Sequence, residues 1–214
     1  MNAKAKICGL STPETVRAAL DGGAAYLGFM FFAKSPRNVA PEAAARLAAP
    51  ARGRGVSLVA VSVDPTDAEV DAIVAGLSPD LIQLHGHEPP ARVREIAVRS
   101  GRGIVKVLPV SDASDVAAAS AYDGLVEHLM FDTKPPKDAD RPGGLGAAFD
   151  WTLLAGRRFA RPWFLAGGLN PWNVAEAVKT TGAPMVDVSS GVERGPGLKD
   201  PALITAFLDA VRRA

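Results

Sequence analysis

The clearest structural signal in this chain comes from residues 163–192, which read WFLAGGLNPWNVAEAVKTTGAPMVDVSSGV. Two short apolar runs, WFL and MVDV, flank an alanine-rich segment with the period of a helix. The pair Asn170 and Pro171 predicts where this helix begins, because asparagine caps helices and proline suits the first helical position. A strand, a helix and a second strand in this order are typical of parallel βαβ structure.

The same alternation extends over the whole chain. The predicted strands cover residues 4–7, 26–31, 57–63, 81–84, 104–108, 127–131, 163–165 and 185–188. The predicted helices cover residues 13–21, 41–49, 67–75, 91–99, 113–121, 151–155, 171–180 and 201–213. Thr12-Pro13 and Asp200-Pro201 repeat the cap signal. This pattern favours an α/β fold of one domain over residues 1–214, a closed (β/α)8 TIM barrel, over an open doubly wound sheet.

Length and composition indicate one globular unit with no sign of a nucleic-acid or membrane partner. The 214 residues are 48% hydrophobic, which is enough for a large core. Twenty-four basic and 23 acidic residues give a formal net charge of +1, so we expect neither nucleic-acid nor membrane binding. One cysteine excludes an internal disulfide, and no apolar run approaches the roughly 20 residues that cross a bilayer. We therefore expect a cytoplasmic protein.

Two side chains with acid–base chemistry stand where predicted strands end. Cys8 follows the first strand and Asp132 follows the sixth, and polar residues at the C-terminal ends of barrel strands usually serve catalysis. Because alternate strand residues face the same side, Lys6 shares the inward face with Cys8. We expect Lys6 and Asp187 to form a structural ion pair and Lys6 to lower the pKa of the thiol. The alternatives are a small buried cysteine and an aspartate that caps a helix.

Small residues follow the last two strands. Gly167 and Gly168 come after strand seven, and Ser189, Ser190 and Gly191 come after strand eight. Such turns let backbone N–H groups approach an anion, and barrel enzymes commonly hold a phosphate with these two loops. The sequence therefore predicts a phosphorylated small molecule as the substrate.

Further polar residues belong to the second and fourth repeats. Arg37 lies in the loop after strand two and could hold a carboxylate with two parallel hydrogen bonds, although loop arginines are usually exposed. Gln83 and His85 share a face of the fourth strand, where His85 could contact substrate or fill the barrel mouth. The HGHE segment at residues 85–88 lacks a clear third ligand, so we predict no metal.

The loosest part of the chain is residues 133–146, which are rich in Pro, Lys, Asp and Gly. Because the segment follows Asp132 at the expected active face, it could close over a substrate. A solvated insertion is an equally good interpretation.

Seven stretches of the chain together match one known family. The stretches are Lys6-Ile7-Cys8-Gly9-Leu10, Gly28-Phe29 with Lys34-Ser35-Pro36-Arg37, Gln83-Leu84-His85-Gly86, Phe131-Asp132-Thr133-Lys134, Gly143-Gly144 with Phe149-Asp150-Trp151, Leu165-Ala166-Gly167-Gly168-Leu169, and Asp187-Val188-Ser189-Ser190-Gly191-Val192-Glu193. In their order and spacing, from one end of the chain to the other, they resemble the phosphoribosylanthranilate isomerase family of tryptophan biosynthesis.

The resemblance implies an Amadori rearrangement of N-(5'-phosphoribosyl)anthranilate to 1-(2-carboxyphenylamino)-1-deoxy-D-ribulose 5-phosphate, without a metal or organic cofactor. It implies that Asp132 is the general acid and Cys8 the general base. Arg37 would hold the anthranilate carboxylate, and the turns after strands seven and eight would hold the phosphate. One departure is Leu145, where the family usually has a small hydroxylated residue, so a polar contact from that loop is in doubt.

Other functions make different demands on the sequence. A pentose-phosphate epimerase should bring carboxylates and metal-binding histidines, and an indole-glycerol-phosphate synthase should bring catalytic lysine and glutamate residues. An inactive phosphosugar-binding barrel would keep the phosphate turns and lose the pair Cys8 and Asp132. A second ribotide substrate is a weaker option, because Arg37 favours a carboxylate. Both a monomer and a homodimer fit the sequence.

Overall fold

The structure is a computed structural model that describes residues 3–134 and 148–214. Eight parallel strands pair in chain order, and the last pairs with the first, so the sheet closes into a barrel. The strands are β1 (Lys4–Cys8), β2 (Tyr26–Phe31), β3 (Ser57–Ser62), β4 (Leu81–Leu84), β5 (Gly103–Val110), β6 (His128–Thr133), β7 (Trp163–Leu165) and β8 (Met185–Val188). The predicted (β/α)8 fold is confirmed.

Seven α-helices occur in the described residues, together with short 3₁₀ turns. They are α1 (Pro13–Asp21), α2 (Pro41–Ala48), α3 (Asp67–Leu77), α4 (Pro90–Ser100), α5 (Ala113–Ala117), α6 (Val174–Thr181) and α7 (Pro201–Arg212). Between β6 and β7, the predicted helix over 151–155 is the 3₁₀ turn Trp151–Leu154. The prediction of α5 as far as residue 121 was also wrong, because the chain after Ala117 continues as a 3₁₀ turn.

The cap signals were right at two helices and wrong at one. Side chains of Thr12 and Asp200 accept hydrogen bonds from the first turns of α1 and α7. Asn170 instead accepts from the backbone N–H groups of Trp172 and Asn173, at 2.9 and 3.1 Å. These bonds close a local turn, because asparagine side chains can mimic a backbone turn. Helix α6 therefore begins at Val174 and not at residue 171.

A two-stranded antiparallel hairpin follows β8 and was not predicted. It consists of β9 (Glu193–Gly195) and β10 (Leu198–Lys199). Strands this short leave almost no periodic pattern in a sequence. The hairpin lies on the side of the barrel where the C-terminal ends of the strands meet, since it extends directly from the end of β8.

The hydrophobic core has two layers, as alternation along the strands predicts. One cluster fills the barrel interior and includes Cys8, Val61, Met130 and Phe164. A larger cluster lies between the strands and the surrounding helices. The predicted common inward face of Lys6 and Cys8 is consistent with this arrangement, because both side chains lie within the barrel and are almost fully buried.

No helix within the described ranges has the length and apolar character needed to span a bilayer. The predictions for the loop over residues 133–146, including the effect of Leu145, fall almost entirely outside the described residues.

Candidate active site

Cys8 ends β1 inside the barrel mouth, and glycines make room around it. The thiol is only 4% exposed. Gly28 on the neighbouring strand lies so close that a Cβ atom there would be 3.0 Å from Nζ of Lys6 and 3.2 Å from Sγ of Cys8. A larger residue would therefore displace the ammonium or the thiol. Gly9, with φ of +76°, lies against the side chain of Arg37.

The charges around Cys8 oppose one another. Burial raises the pKa of the thiol above its ordinary value, and the nearby ammonium of Lys6 offsets only part of that rise. Lys6 donates a 2.8 Å hydrogen bond to Oδ1 of Asp187, which confirms the predicted ion pair. Burial would lower the pKa of Lys6, but Asp187 and Cys8 outweigh that effect and raise it. Lys6 therefore stays protonated below the thiol.

Asp132 lies within β6, so the helix-cap alternative is wrong. Its Oδ1 atom accepts a 2.7 Å hydrogen bond from the backbone N–H of Thr133. Its Oδ2 atom lies 3.2 Å from Nε2 of His85. Gly167 approaches this carboxyl closely, since a Cβ atom there would lie 3.1 Å from Oδ1. Strand ends from three repeats thus converge on Asp132.

Gln83 and His85 form a chain of contacts that ends at Asp132. Nε2 of Gln83 lies 3.4 Å from Nδ1 of His85. With Nδ1 as the acceptor, the proton of a neutral imidazole lies on Nε2 and points at Asp132. Oε1 of Gln83 is buried and has no hydrogen-bond partner among the described residues. His85 therefore lies beside the carboxyl group, and Gln83 contacts the other side of the His85 ring.

The loop that carries His85 is held by a buried ion pair that the sequence did not indicate. Nζ of Lys106 donates to Oε2 of Glu88 at 2.6 Å and to the carbonyl oxygen of Gly86 at 2.8 Å. Glu88 also accepts from the N–H of Gly86, and the side chain of His87 points to solvent at 97% exposure. The HGHE segment is thus an anchored loop. In the described part of the chain, no three metal-ligating side chains form a group.

The predicted phosphate turns after β7 and β8 lie against each other. Gly167 and Gly168 both adopt left-handed conformations, with φ of +83° and +65°. Gly191 packs so tightly that a Cβ atom there would collide with the carbonyl of Leu169. Ser190 begins a 3₁₀ turn, and the Ser189 hydroxyl lies 3.3 Å from Nζ of Lys199. Glycine is favoured at positions 167 and 168 by the positive φ, and it is needed at position 191 because the two backbones approach each other there.

Arg37 is buried and paired, unlike the usual exposed loop arginine. Its Nε and Nη2 atoms donate to the two carboxylate oxygens of Glu193, at 2.7 and 2.8 Å. Both side chains are only 4% exposed. Nη1 has no hydrogen-bond partner in the described residues. The sequence offered no sign of this pairing, because the partners are 156 positions apart and meet through the hairpin.

The fold and these converging side chains define a (β/α)8-barrel enzyme with its polar groups at the C-terminal ends of the strands. The family model described as N-(5'-phosphoribosyl)anthranilate (PRA) isomerase matches residues 5–210. The chain therefore belongs to the PRA isomerase family.

Individual relatives agree with this assignment. N-(5'-phosphoribosyl)anthranilate isomerase of Caulobacter vibrioides is 69% identical over 210 residues, which cover 98% of this chain and 96% of the relative. The dimeric phosphoribosylanthranilate isomerase of Thermotoga maritima, solved as mutually generated monomers, is 33% identical with a TM-score of 0.84 and covers 99% of this chain and 100% of its own. A phosphoribosylanthranilate isomerase in complex with reduced 1-(o-carboxyphenylamino)-1-deoxyribulose 5-phosphate is 32% identical, with the same TM-score and coverage.

Proposed function

We propose that this protein converts N-(5'-phosphoribosyl)anthranilate to 1-(2-carboxyphenylamino)-1-deoxy-D-ribulose 5-phosphate, a step of L-tryptophan biosynthesis. The observation that carries the proposal is the family match over almost the whole chain. A thiol on β1 and a carboxyl on β6, both directed into the barrel mouth, support it chemically. The reaction needs one group that gives a proton and one that removes a proton.

Asp132 is the general acid in this proposal. It gives its proton to the furanose ring oxygen, and the ring opens to a protonated Schiff base as the amine nitrogen supplies an electron pair. The carboxylate that forms is stabilised by the N–H of Thr133 and by Nε2–H of His85. Hydrogen bonds that strengthen as charge develops lower the barrier for this step.

Cys8 is the general base. As a thiolate it removes the proton from C2', and the electron pair moves to the Schiff base to give a neutral enolamine. The enolamine then gains a proton at C1' and loses one from O2', so the substrate's overall proton count is unchanged. Cys8 gives up the proton it took and Asp132 regains the one it gave, through solvent, so both residues return to their starting states. Lys6 supports the thiolate, since its ammonium lowers the pKa of Cys8 against the effect of burial. Such general acid–base steps each contribute roughly 10²–10⁴-fold.

The remaining predicted residues bind the two ends of the substrate. Nη1 of Arg37, with the second N–H of Nη2, offers the edge of the guanidinium that Glu193 does not use, and this edge suits the anthranilate carboxylate. The phosphate is assigned to the backbone N–H groups of the two small-residue turns. The residues of these turns are Gly167, Gly168, Ser189, Ser190 and Gly191. Gln83 is assigned to substrate through its unpartnered Oε1.

The direct test is product identification. Purified protein is mixed with N-(5'-phosphoribosyl)anthranilate made in situ, and the product is identified by mass spectrometry and proton NMR. The proposal expects an isomer of unchanged mass whose C1' is a methylene group. An unchanged substrate with folded protein would contradict it and favour the inactive binding barrel. A pentose phosphate offered in parallel should not epimerise.

A further inference from the structure

Arg37 is held in place by a charged network of Arg37, Glu193 and Lys199, and the acid–base steps do not use this network. The guanidinium is bound through two atoms to Glu193, and neither side chain has access to bulk water beyond a few per cent. Taking charges out of water costs several kcal/mol for each ion, so a buried pair is weak support for stability alone. A buried pair at a binding site has another use, because it holds the guanidinium in one orientation.

Lys199 extends the same network toward the predicted phosphate turn. Its ammonium donates to the carboxylate of Glu193, to the carbonyl oxygen of Ser189 at 3.0 Å and to the hydroxyl oxygen of Ser189 at 3.3 Å. These contacts occupy all three ammonium protons. Because Lys199 donates to the Ser189 hydroxyl, the hydroxyl hydrogen is directed elsewhere and can be given to an anion. Lys199 therefore influences both ends of the proposed substrate site through other residues. It acts through Glu193 at the carboxylate end and through Ser189 at the phosphate end.

The hairpin β9–β10 brings the residues of this charged network together. Glu193 and Lys199 are register partners on its two strands. Gly197 in its turn donates to Oε2 of Glu193 at 3.1 Å. A Cβ atom at Gly197 would lie 2.6 Å from the carbonyl oxygen of Pro36, so the turn lies directly on the loop that carries Arg37. The hairpin thus joins the loops after β2 and β8.

We infer that Glu193 and Lys199 are positioning residues, which orient Arg37 toward the substrate carboxylate and Ser189 toward the phosphate. The inference rests on the proposed function. Arg37, Glu193 and Lys199 together carry a charge of +1 when all three are ionised, and an excess positive charge favours an anionic substrate. Opposing charges in the network keep the pKa of Glu193 low despite its burial, so the carboxylate remains ionised.

The role of Glu193 is tested by a thermodynamic cycle, in which the Glu193 carboxylate is removed from the protein and the carboxyl group is removed from the ligand. The ligands are reduced 1-(o-carboxyphenylamino)-1-deoxyribulose 5-phosphate and the matching phenylamino compound without the carboxyl group. Glu193→Gln should weaken inhibition by the carboxylated ligand roughly 10- to 100-fold, the range for a misplaced charge-assisted hydrogen bond. Inhibition by the ligand without the carboxyl group should change less than about twofold, because it makes no contact with Arg37.

Lys199→Met should weaken inhibition by the carboxylated ligand and by inorganic phosphate, since Lys199 supports both ends. Arg194→Met is the matched control, because this hairpin arginine is 71% exposed in its side chain and belongs to no part of the proposed site. It should leave both inhibition constants unchanged. Circular dichroism melting checks that each variant is folded. If Glu193→Gln does not fold, Glu193→Asp withdraws the same charge by one methylene group and gives the same comparison.

Equal weakening of both ligands by Glu193→Gln would show a general structural role and overturn the inference, as would no weakening of either. Failure of the proposed function gives a different result, in which folded wild type does not turn over N-(5'-phosphoribosyl)anthranilate, whether or not it binds the two ligands.

Discussion

At the scale of single residues, Cys8 is the group whose surroundings decide its chemistry. Burial favours the neutral thiol, and Lys6 favours the thiolate. Asp187 holds Lys6 in place but, as a negative charge, also raises the pKa of Cys8. The pKa of the Cys8 thiol thus depends on Lys6 and Asp187 together. Each charge alone would shift this pKa more than the pair does, because the two effects are opposite.

Replacing Lys6 with methionine should raise the pKa of Cys8 further, because the favourable cation is lost and the carboxylate of Asp187 is left unpaired. The measurement is the thiolate absorbance near 240 nm as a function of pH. The double variant Lys6→Met, Asp187→Asn is the control for the unpaired charge and should lie between the wild type and the single variant. An identical titration of Cys8 in the wild type and Lys6→Met would refute this role for Lys6.

The sequence located correctly the side chains whose direction follows from the alternation of residues along a strand. Cys8 ends β1 and Asp132 lies one residue before the end of β6, both after clear apolar patterns, and Gln83 and His85 follow from the same rule. The partners of these residues were harder to predict. Glu193 reaches Arg37 through a hairpin of two very short strands, and Lys106 sits in an apolar strand with nothing beside it in sequence to suggest Glu88. Long-range charge pairing leaves no local signal.

At the scale of elements, the loop between β4 and α4 depends on one buried ion pair. Lys106 and Glu88 have side chains only 3% and 1% exposed. Glu88 also accepts hydrogen bonds from the backbone of Asp64 and Gly86, so it connects the loops after β3 and β4. The position of His85 beside Asp132 therefore depends on charges that do not contact the carboxyl.

Lys106→Met should lower the free energy of unfolding by about 3–5 kcal/mol, the usual effect of leaving a buried charge without its partner. It should also lower kcat/KM, since the His85 loop is released. Urea denaturation and steady-state kinetics measure the two effects. The double variant Lys106→Met, Glu88→Gln removes the unpaired charge and should recover part of the stability. A single variant as stable as the wild type would contradict the anchoring role.

Helix positions were predicted best where a cap signal and an apolar period agreed. Helix α1 has both, and its bounds match the prediction. The segment after Asn170 had the same signal, but the asparagine closes a turn that carries the backbone from the Gly167-Gly168 turn to α6. An asparagine side chain can stabilise either the start of a helix or a local turn. Tertiary contacts determine which of the two forms, and one segment of sequence does not contain those contacts.

At the scale of the whole molecule, many carboxylates are more acidic than usual, and this sets the response to acid. Local hydrogen bonds lower the pKa of Glu69, Asp112 and Asp150, and Arg37 and Lys199 help to lower that of Glu193 despite its burial. A carboxyl whose pKa is lower in the folded state binds more protons when unfolded. Its contribution to stability is present above the ordinary value and disappears as pH falls through the folded value.

We therefore expect the urea midpoint to fall slightly below the ordinary histidine value of 6.5, because burial lowers the pKa of His128, and to fall steadily below the ordinary glutamate value of 4.5. Intrinsic tryptophan fluorescence and far-UV circular dichroism at pH 7, 5, 4 and 3 give the midpoints. In Glu193→Gln the urea midpoint should fall less between pH 5 and pH 3 than in the wild type, because that carboxylate no longer titrates. Equal midpoints at pH 7 and pH 3 would show that these hydrogen-bonded carboxylates do not link folding to pH.

The central claim joins the isomerase reaction to Cys8 and Asp132, and one measurement addresses both parts. N-(5'-phosphoribosyl)anthranilate is generated in situ, and its fluorescence decay is followed with wild type, Cys8→Ala and Asp132→Ala, each shown to be folded by circular dichroism. The account predicts rapid decay with the wild type and a loss of kcat of at least about 10²-fold in each variant. No turnover by folded wild type would contradict the reaction, and turnover retained by either variant would contradict the role assigned to that residue.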